Sequence, residues 1–251
     1  MFLAIKEMKF AKLRYSLIIG IMFLISFVVF LLSGLANGLA TEFSEVIDRW
    51  DAGRVVISEE SNGVLAASQL TIDDLSEVKT SEKAPLALYS GSVEIAGEKE
   101  NLSFFGTQPE AFFLPELTEG KSFNEKNEVI ISQALADAGL AIGDTITIGS
   151  QGVEVIVTGI FPKTSYVVTP VMYGSIEAVV ETKFGSDFLA AQTNYPMNAI
   201  LTEETDPIIE NKAFQSLSTE AFIAQLPGYA EQNLTLNAMI YFLFMIAAAV
   251  I

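Results

Sequence analysis

The chemistry open to this chain is bounded first by two absences: its 251 residues include no histidine and no cysteine. Cys/His zinc sites, thiol nucleophiles and Ser-His-Asp triads are excluded by composition, and an exported domain would rely on its core alone, without disulfides. Carboxylates are plentiful, and Glu59-Glu60, Asp73-Asp74 and Glu203-Glu204 are adjacent pairs that suit acid–base work or cation binding. No nucleophile with a base partner accompanies them, and Thr71-Ile72-Asp73-Asp74 has the spacing of a helix-capping box, so the pairs read as solvated or capping groups. The chain reads as a non-enzyme, with no metal site and no cofactor of its own. Arg49, Trp50, Tyr166 and Tyr229 carry a guanidinium, an indole and two phenols, groups able to pair with carboxylates or to form aromatic walls. Against that, Trp50 and Tyr229 flank apolar stretches, where aromatic side chains routinely anchor at the membrane interface. Tyr166 and Tyr173 also read as plain strand residues, and Met239 and Met245 as lipid- or helix-facing.

The elements that must position these residues begin with two apolar runs. Leu17–Leu35 carries no charge and, at 1.5 Å per residue, spans roughly 28 Å as a helix, about one hydrocarbon thickness. A cleaved signal peptide is the competing reading, with Gly34-Leu35-Ala36 as a weak cleavage site. The second run, Leu234–Ile251, is uncharged from Met239 onward and stops at the last residue, as a fragment cut within a helix would. The net charge of −17 is uneven: residues 1–16 carry Lys6, Lys9, Lys12 and Arg14 against Glu7, while Glu42, Glu45 and Asp48 follow the first run. That asymmetry places the N-terminus in the cytoplasm, and the acidic body argues against a nucleic-acid partner. The expected layout is a basic segment at 1–16, membrane helices at 17–36 and 234–251, and an extracytoplasmic α+β domain at 37–233.

Within that domain, Thr41–Trp50 extends the first helix outward with Phe43, Val46, Ile47 and Trp50 at helical spacing. Strands are expected at Val55–Ser58, Leu86–Ile95, Leu102–Phe105, Tyr166–Met172 and Ala199–Leu201, helices at Ser175–Phe184 and over most of Pro207–Gln225, and loops at Ser58–Ser68 and Gly106–Asn127. The most informative stretch is Glu128–Phe161. Val129–Ile131 is β-rich; Gln133–Leu140 makes about two helical turns ending at Gly139; Gly143-Asp144 turns the chain into Thr145–Ile148. Gly149-Ser150-Gln151-Gly152 then forms a hairpin into Val153–Ile160.

This order of segments, with Glu128-Val-Ile-Ile-Ser132, Gly139-Leu-Ala-Ile-Gly143-Asp144 and Val153-Glu-Val-Ile-Val-Thr-Gly159-Ile160, resembles the MacB/FtsX-type permeases of ABC transporters. Phe105-Gly106-Thr107-Gln108-Pro109 and Glu119-Gly120-Lys121 resemble the stretch that precedes that run. The likeness covers the whole chain in layout and some 60 residues in motif detail. It makes Gly139, Gly143, Asp144 and Gly159 structural signature positions, and it implies four membrane helices, a homodimer in the cell membrane, and mechanotransmission driven by an ABC ATPase. No GxxxxGK[ST] loop is present, so that ATPase would be another polypeptide.

Gly34-Leu-Ala-Asn-Gly-Leu-Ala40 and Val46-Ile-Asp-Arg-Trp50 further resemble the haem-efflux permeases of lactic-acid bacteria and streptococci, which implies haem or another amphipathic compound as transported substrate. The absence of cysteine fits a Gram-positive surface. Haem would need an apolar slot, a cation for its propionates and Tyr or Met as the available axial ligands, so the resemblance implies Arg49, Trp50, Tyr166 and Tyr229 as substrate candidates, with Arg49 pairing a propionate. Two alternatives stand beside export: an FtsX-like regulator of a cell-wall hydrolase, and a membrane-anchored binding or sensor protein.

Overall fold

The computed structural model describes residues 11–227, 229, 234–235, 238–243 and 245, without the side chains of 37 and 40. Residues 1–10 of the expected cytoplasmic segment and half of the expected helix at 234–251 lie outside the described residues. The chain divides into two compact units, Met1–Thr41 with Gly228–Ile251, and Glu42–Pro227. Helix α1 (Lys12–Arg49) runs unbroken through the first boundary. Its 38 residues measure about 57 Å, nearly twice a hydrocarbon thickness. Among the described residues it is the helix long and apolar enough to cross a membrane. In its first part Leu17, Phe23, Phe27 and Phe30 are exposed, whereas Val46, Ile47 and Trp50 at its far end are sealed. The same helix therefore changes solvent along its length, as the polar residues after Leu35 anticipate.

The second unit is built on β1 (Arg54–Ser58), β2 (Lys83–Ile95), β3 (Glu98–Thr107), β4 (Glu128–Ser132), β5 (Thr145–Ile148), β6 (Val153–Phe161), β7 (Ser165–Tyr166), β8 (Thr169–Ser175), β9 (Ala199–Thr202) and β10 (Phe214–Leu217). β2 and β3 form a long hairpin about Ala96-Gly97, both with positive φ. β3 lies parallel to β8, β8 antiparallel to β4, and β4 parallel to β6. β6 pairs with β5, and a single bridge, Val93 to Ile148, returns to β2 and closes a ring of strands. The first residues of β2 instead pair with β9, which continues to β1 and β10. Helix α2 (Gln133–Asp137) follows β4, and α3 (Ile176–Phe184) follows β8 and packs on β2 and β3. Val129, Ile131, Val155, Val157, Phe104, Met172 and Val179 form the centre of the core.

The Glu128–Phe161 run has the expected sequence of elements. Ser132 caps α2 by accepting from the Ala134 amide at 3.2 Å, and the helix ends in a Schellman motif, with Leu140 N–H on the Leu135 carbonyl and Gly139, at φ 121°, on that of Ala136. Gly143 sits at φ 96°, and the Asp144 carboxylate accepts from the Ala141 amide at 2.8 Å. Gly159 serves a different need. A Cβ there would lie 2.6 Å from the Lys121 carbonyl, where the segment Glu119–Gly120 lies against β6. Thr71 and Asp74 form the capping box, on a 3₁₀ helix.

Two expectations are corrected. Pro207–Gln225 is helical only in α4 (Thr219–Ala224); Phe214–Leu217 is drawn into strand pairing with β1, some 160 residues away in sequence, and tertiary pairing overrides local preference. Tyr166–Met172 is not one strand, because Val167 and Val168 adopt φ 47° and 66° and fold the chain back between β7 and β8. The Ser58–Ser68 loop contains two short 3₁₀ turns.

Candidate functional site

The candidate side chains in the second unit collect where α1 ends. Trp50, one residue beyond the helix, is fully buried and its indole N–H donates to the Tyr173 hydroxyl at 3.1 Å. Its ring meets Phe105 edge-on at 5.7 Å and Phe113 at 6.2 Å. Phe105 stacks on Tyr173 at 5.6 Å and takes the edge of Tyr166 at 5.3 Å, and Phe161 closes on Tyr173 at 5.6 Å. Such pairs contribute about 0.5–1.5 kcal/mol each beyond their buried area. Burial holds both Tyr166 and Tyr173 well above the ordinary phenol range, with the Trp50 hydrogen bond and the Arg49 charge opposing it weakly at Tyr173. Both are therefore neutral, and neither is a phenolate at working pH.

The β7–β8 turn fixes a second attachment. Val167 N–H donates to the Phe43 carbonyl at 3.2 Å and Val168 N–H to that of Glu42 at 3.4 Å. The Ser165 amide donates to one Glu45 oxygen at 3.2 Å, while the other pairs with Arg49 at 2.9 Å. Two consecutive β-branched residues at positive φ are strained backbone, costing about 1–3 kcal/mol each. These hydrogen bonds hold the strained turn against α1.

Beside this turn lies a cleft of about 620 Å³, bounded by β2, β3, Tyr166–Thr169, Val64 and Pro227. Its walls mix Leu88, Leu102 and Val167 with Ser90, Ser92, Asn101 and Ser103, and among the described residues no charged side chain lines it. Tyr166 does, and its hydroxyl, without a hydrogen-bond partner among the described residues, keeps contact with solvent. Two other clefts are less suited to a ligand. One, of about 460 Å³, contains Lys126 and Glu181 already paired at 2.5 Å. In the other, of about 540 Å³, the Asn198 side chain is consumed by the Leu88 amide and the Leu65 and Ser68 carbonyls.

The structure thus brings Arg49, Trp50 and Tyr166 into one neighbourhood but gives them different surroundings. Trp50 is core and presents no face to a ligand or to an interface, which removes the anchoring reading for it. Arg49 is half-exposed and bound to Glu45. Tyr166 alone of the three lines a cleft. Tyr229 is half-buried and belongs to the other unit. Sequence reasoning missed Phe105, Phe113 and Phe161 as cluster members, and gave Tyr173 no role beyond its strand. Nothing in their local spacing marks them, because they meet only through the β3–β8 and β4–β6 pairings.

With this geometry in hand, comparison with known proteins defines the class. Residues 16–201 match the MacB-like periplasmic core domain, and the chain belongs to that family. It is a membrane protein of the MacB type of ABC transporter permease, with a large extracellular domain. Among individual relatives, the hemin transport system permease protein HrtB of Staphylococcus haemolyticus is 27% identical over 250 residues, covering 99% of this chain and 69% of that protein. The HrtB of Staphylococcus epidermidis is 26% identical over the same span. An ABC transporter permease of Mycobacterium tuberculosis is 26% identical over 170 residues, 66% of this chain and 47% of that protein. Among solved structures, the periplasmic region of MacB from Actinobacillus actinomycetemcomitans aligns with a TM-score of 0.47 at 14% identity, over 68% of this chain and 91% of that one.

Proposed function

We propose that this chain is the permease subunit of an efflux transporter that exports haem or another amphipathic compound, using ATP hydrolysed by a separate ABC ATPase subunit. It works as a homodimer in the cell membrane of a Gram-positive bacterium, with its N-terminus cytoplasmic. The observation that carries the coupling is α1. One unbroken helix leads from the apolar stretch into the outer unit, where Trp50, Glu45 and the Val167-Val168 turn fix its end to the β-structure. A helix so anchored transmits a shift of its membrane part to the domain, which is what mechanotransmission requires. The haem assignment is supported by the names of the staphylococcal relatives and by the lack of any His or Cys that would trap the iron strongly. No ATP-binding loop occurs in this chain, which fits a partner that supplies the hydrolysis.

The test is haemin tolerance in a haem-sensitive host expressing the full-length permease with its ATPase. Export predicts growth at haemin concentrations that stop the empty host, lost when the ATPase is catalytically inactivated. Tolerance independent of the ATPase, or none at all for haemin and other amphipathic toxicants, overturns the proposal.

A further inference from the structure

Tyr166 is only 6% exposed, yet its hydroxyl has no protein partner among the described residues and keeps contact with solvent. The ring is fixed by burial while the hydroxyl meets water at the cleft wall, so it is a pre-oriented donor whose water a ligand acceptor can replace. The surrounding hydroxyls are already oriented. Thr169 Oγ1 donates to the Tyr166 carbonyl at 2.7 Å, so the proton in its 2.6 Å contact with Ser103 comes from Ser103. Ser103 is left with acceptor capacity only, and Tyr166 is a donor on this wall that no acceptor among the described residues takes up, its hydroxyl facing the cleft solvent. The cleft volume of about 620 Å³ lies within the usual range for small-molecule sites, about 300–1,000 Å³. In a chain of net charge −17, the described part of this wall carries no carboxylate, and it therefore neither repels anions nor selects cations.

We infer that this cleft binds an amphipathic small molecule through a hydrogen-bond acceptor at its edge, a carbonyl or a carboxylate, with the Tyr166 hydroxyl donating to that acceptor and Leu88, Leu102 and Val167 covering its apolar body. Because Tyr166 and Val167 belong to the turn tied to the Glu42 and Phe43 carbonyls, occupancy bears directly on the segment that grips α1. That the occupant is cargo rests on the export reading; that the cleft is a binding site does not.

The absence of native cysteine permits a clean test on the full chain in lipid nanodiscs. Ser90→Cys places one thiol in the cleft, and Ser150→Cys places one in the exposed turn after β5. The probes are Nile red, an uncharged carbonyl-bearing dye, and haemin. Binding predicts that Nile red slows maleimide labelling at Ser90→Cys at least fivefold and leaves Ser150→Cys unchanged, and that adding Tyr166→Phe, which keeps the ring packing, removes most of the protection. Equal slowing at both thiols, no slowing, or protection that survives Tyr166→Phe overturns the site. Haemin protecting as Nile red does, together with haemin export weakened by Tyr166→Phe, marks the occupant as cargo. Export by the Tyr166→Phe chain at the unaltered rate overturns the cleft as a cargo site and leaves the export reading standing. Loss of export in the unaltered chain with protection intact overturns the export reading alone.

Discussion

Trp50 and Tyr173 stand 123 residues apart in sequence and share one buried hydrogen bond. Removing the indole leaves a large cavity among Phe105, Phe113 and Tyr173, so Trp50→Ala should destabilise the fold by about 3–5 kcal/mol. Tyr173→Phe keeps the ring and strands only the Trp50 N–H, at about 1–3 kcal/mol. Thermal unfolding of the two variants should rank them in that order; a Trp50→Ala chain as stable as the parent would place the tryptophan outside the core. Glu128 carries a different residue-scale prediction. The amides of Asn124 and Glu125 and then the Lys121 ammonium hold its carboxyl below the ordinary carboxylate range. A depressed carboxylate stabilises the fold fully above its unfolded value, about 4.5, and that contribution disappears as pH falls through the folded value. Glu128→Gln should therefore flatten the loss of stability below pH 4.5, and an acid limb as steep as in the parent would contradict this.

The two valines at positive φ define the element scale. A two-residue hairpin turn with both φ positive favours Asn-Gly, so Val167→Asn with Val168→Gly should raise stability by about 1–3 kcal/mol while keeping the backbone bonds to Glu42 and Phe43. A drop in melting temperature would show that the valine side chains are needed for reasons other than backbone shape. Gly143 is the converse case. Its φ of 96° is one a β-branched residue resists, and no atom crowds the position. Gly143→Val should cost about 1–2 kcal/mol or more from backbone strain alone; unaltered stability would move the strained turn elsewhere. These cases also mark how far the fold was legible in sequence. The Glu128–Phe161 run could be read because its turns declare themselves locally in Gly139, Gly143-Asp144 and Gly149–Gly152. The Val167-Val168 turn could not, since valine argues for an unbroken strand. Phe214–Leu217 was misread because its partner, β1, lies far back in the chain. The cleft was illegible for the same reason: Ser90, Ser103 and Tyr166 reach it from three separated segments, and only Tyr166 had drawn attention.

For the whole molecule, charge and hydropathy are the ground of the proposed orientation. A basic N-terminus, an apolar span and an acidic body predict that residues 37–233 are cleaved by protease added to intact cells, and digestion only after lysis would reverse the topology. On the proposed function, helix α1, whose far end is held by an aromatic cluster, is the part through which a nucleotide-driven shift would pass. The export claim is tested most directly by haemin efflux from proteoliposomes containing the full-length permease and its ATPase, measured with and without ATP. The account predicts ATP-dependent efflux, and a Trp50→Phe chain, which retains the fold but loses the bond to Tyr173, that hydrolyses ATP at near-parental rate while exporting less haemin per ATP. Haemin release at the same rate without ATP would contradict it.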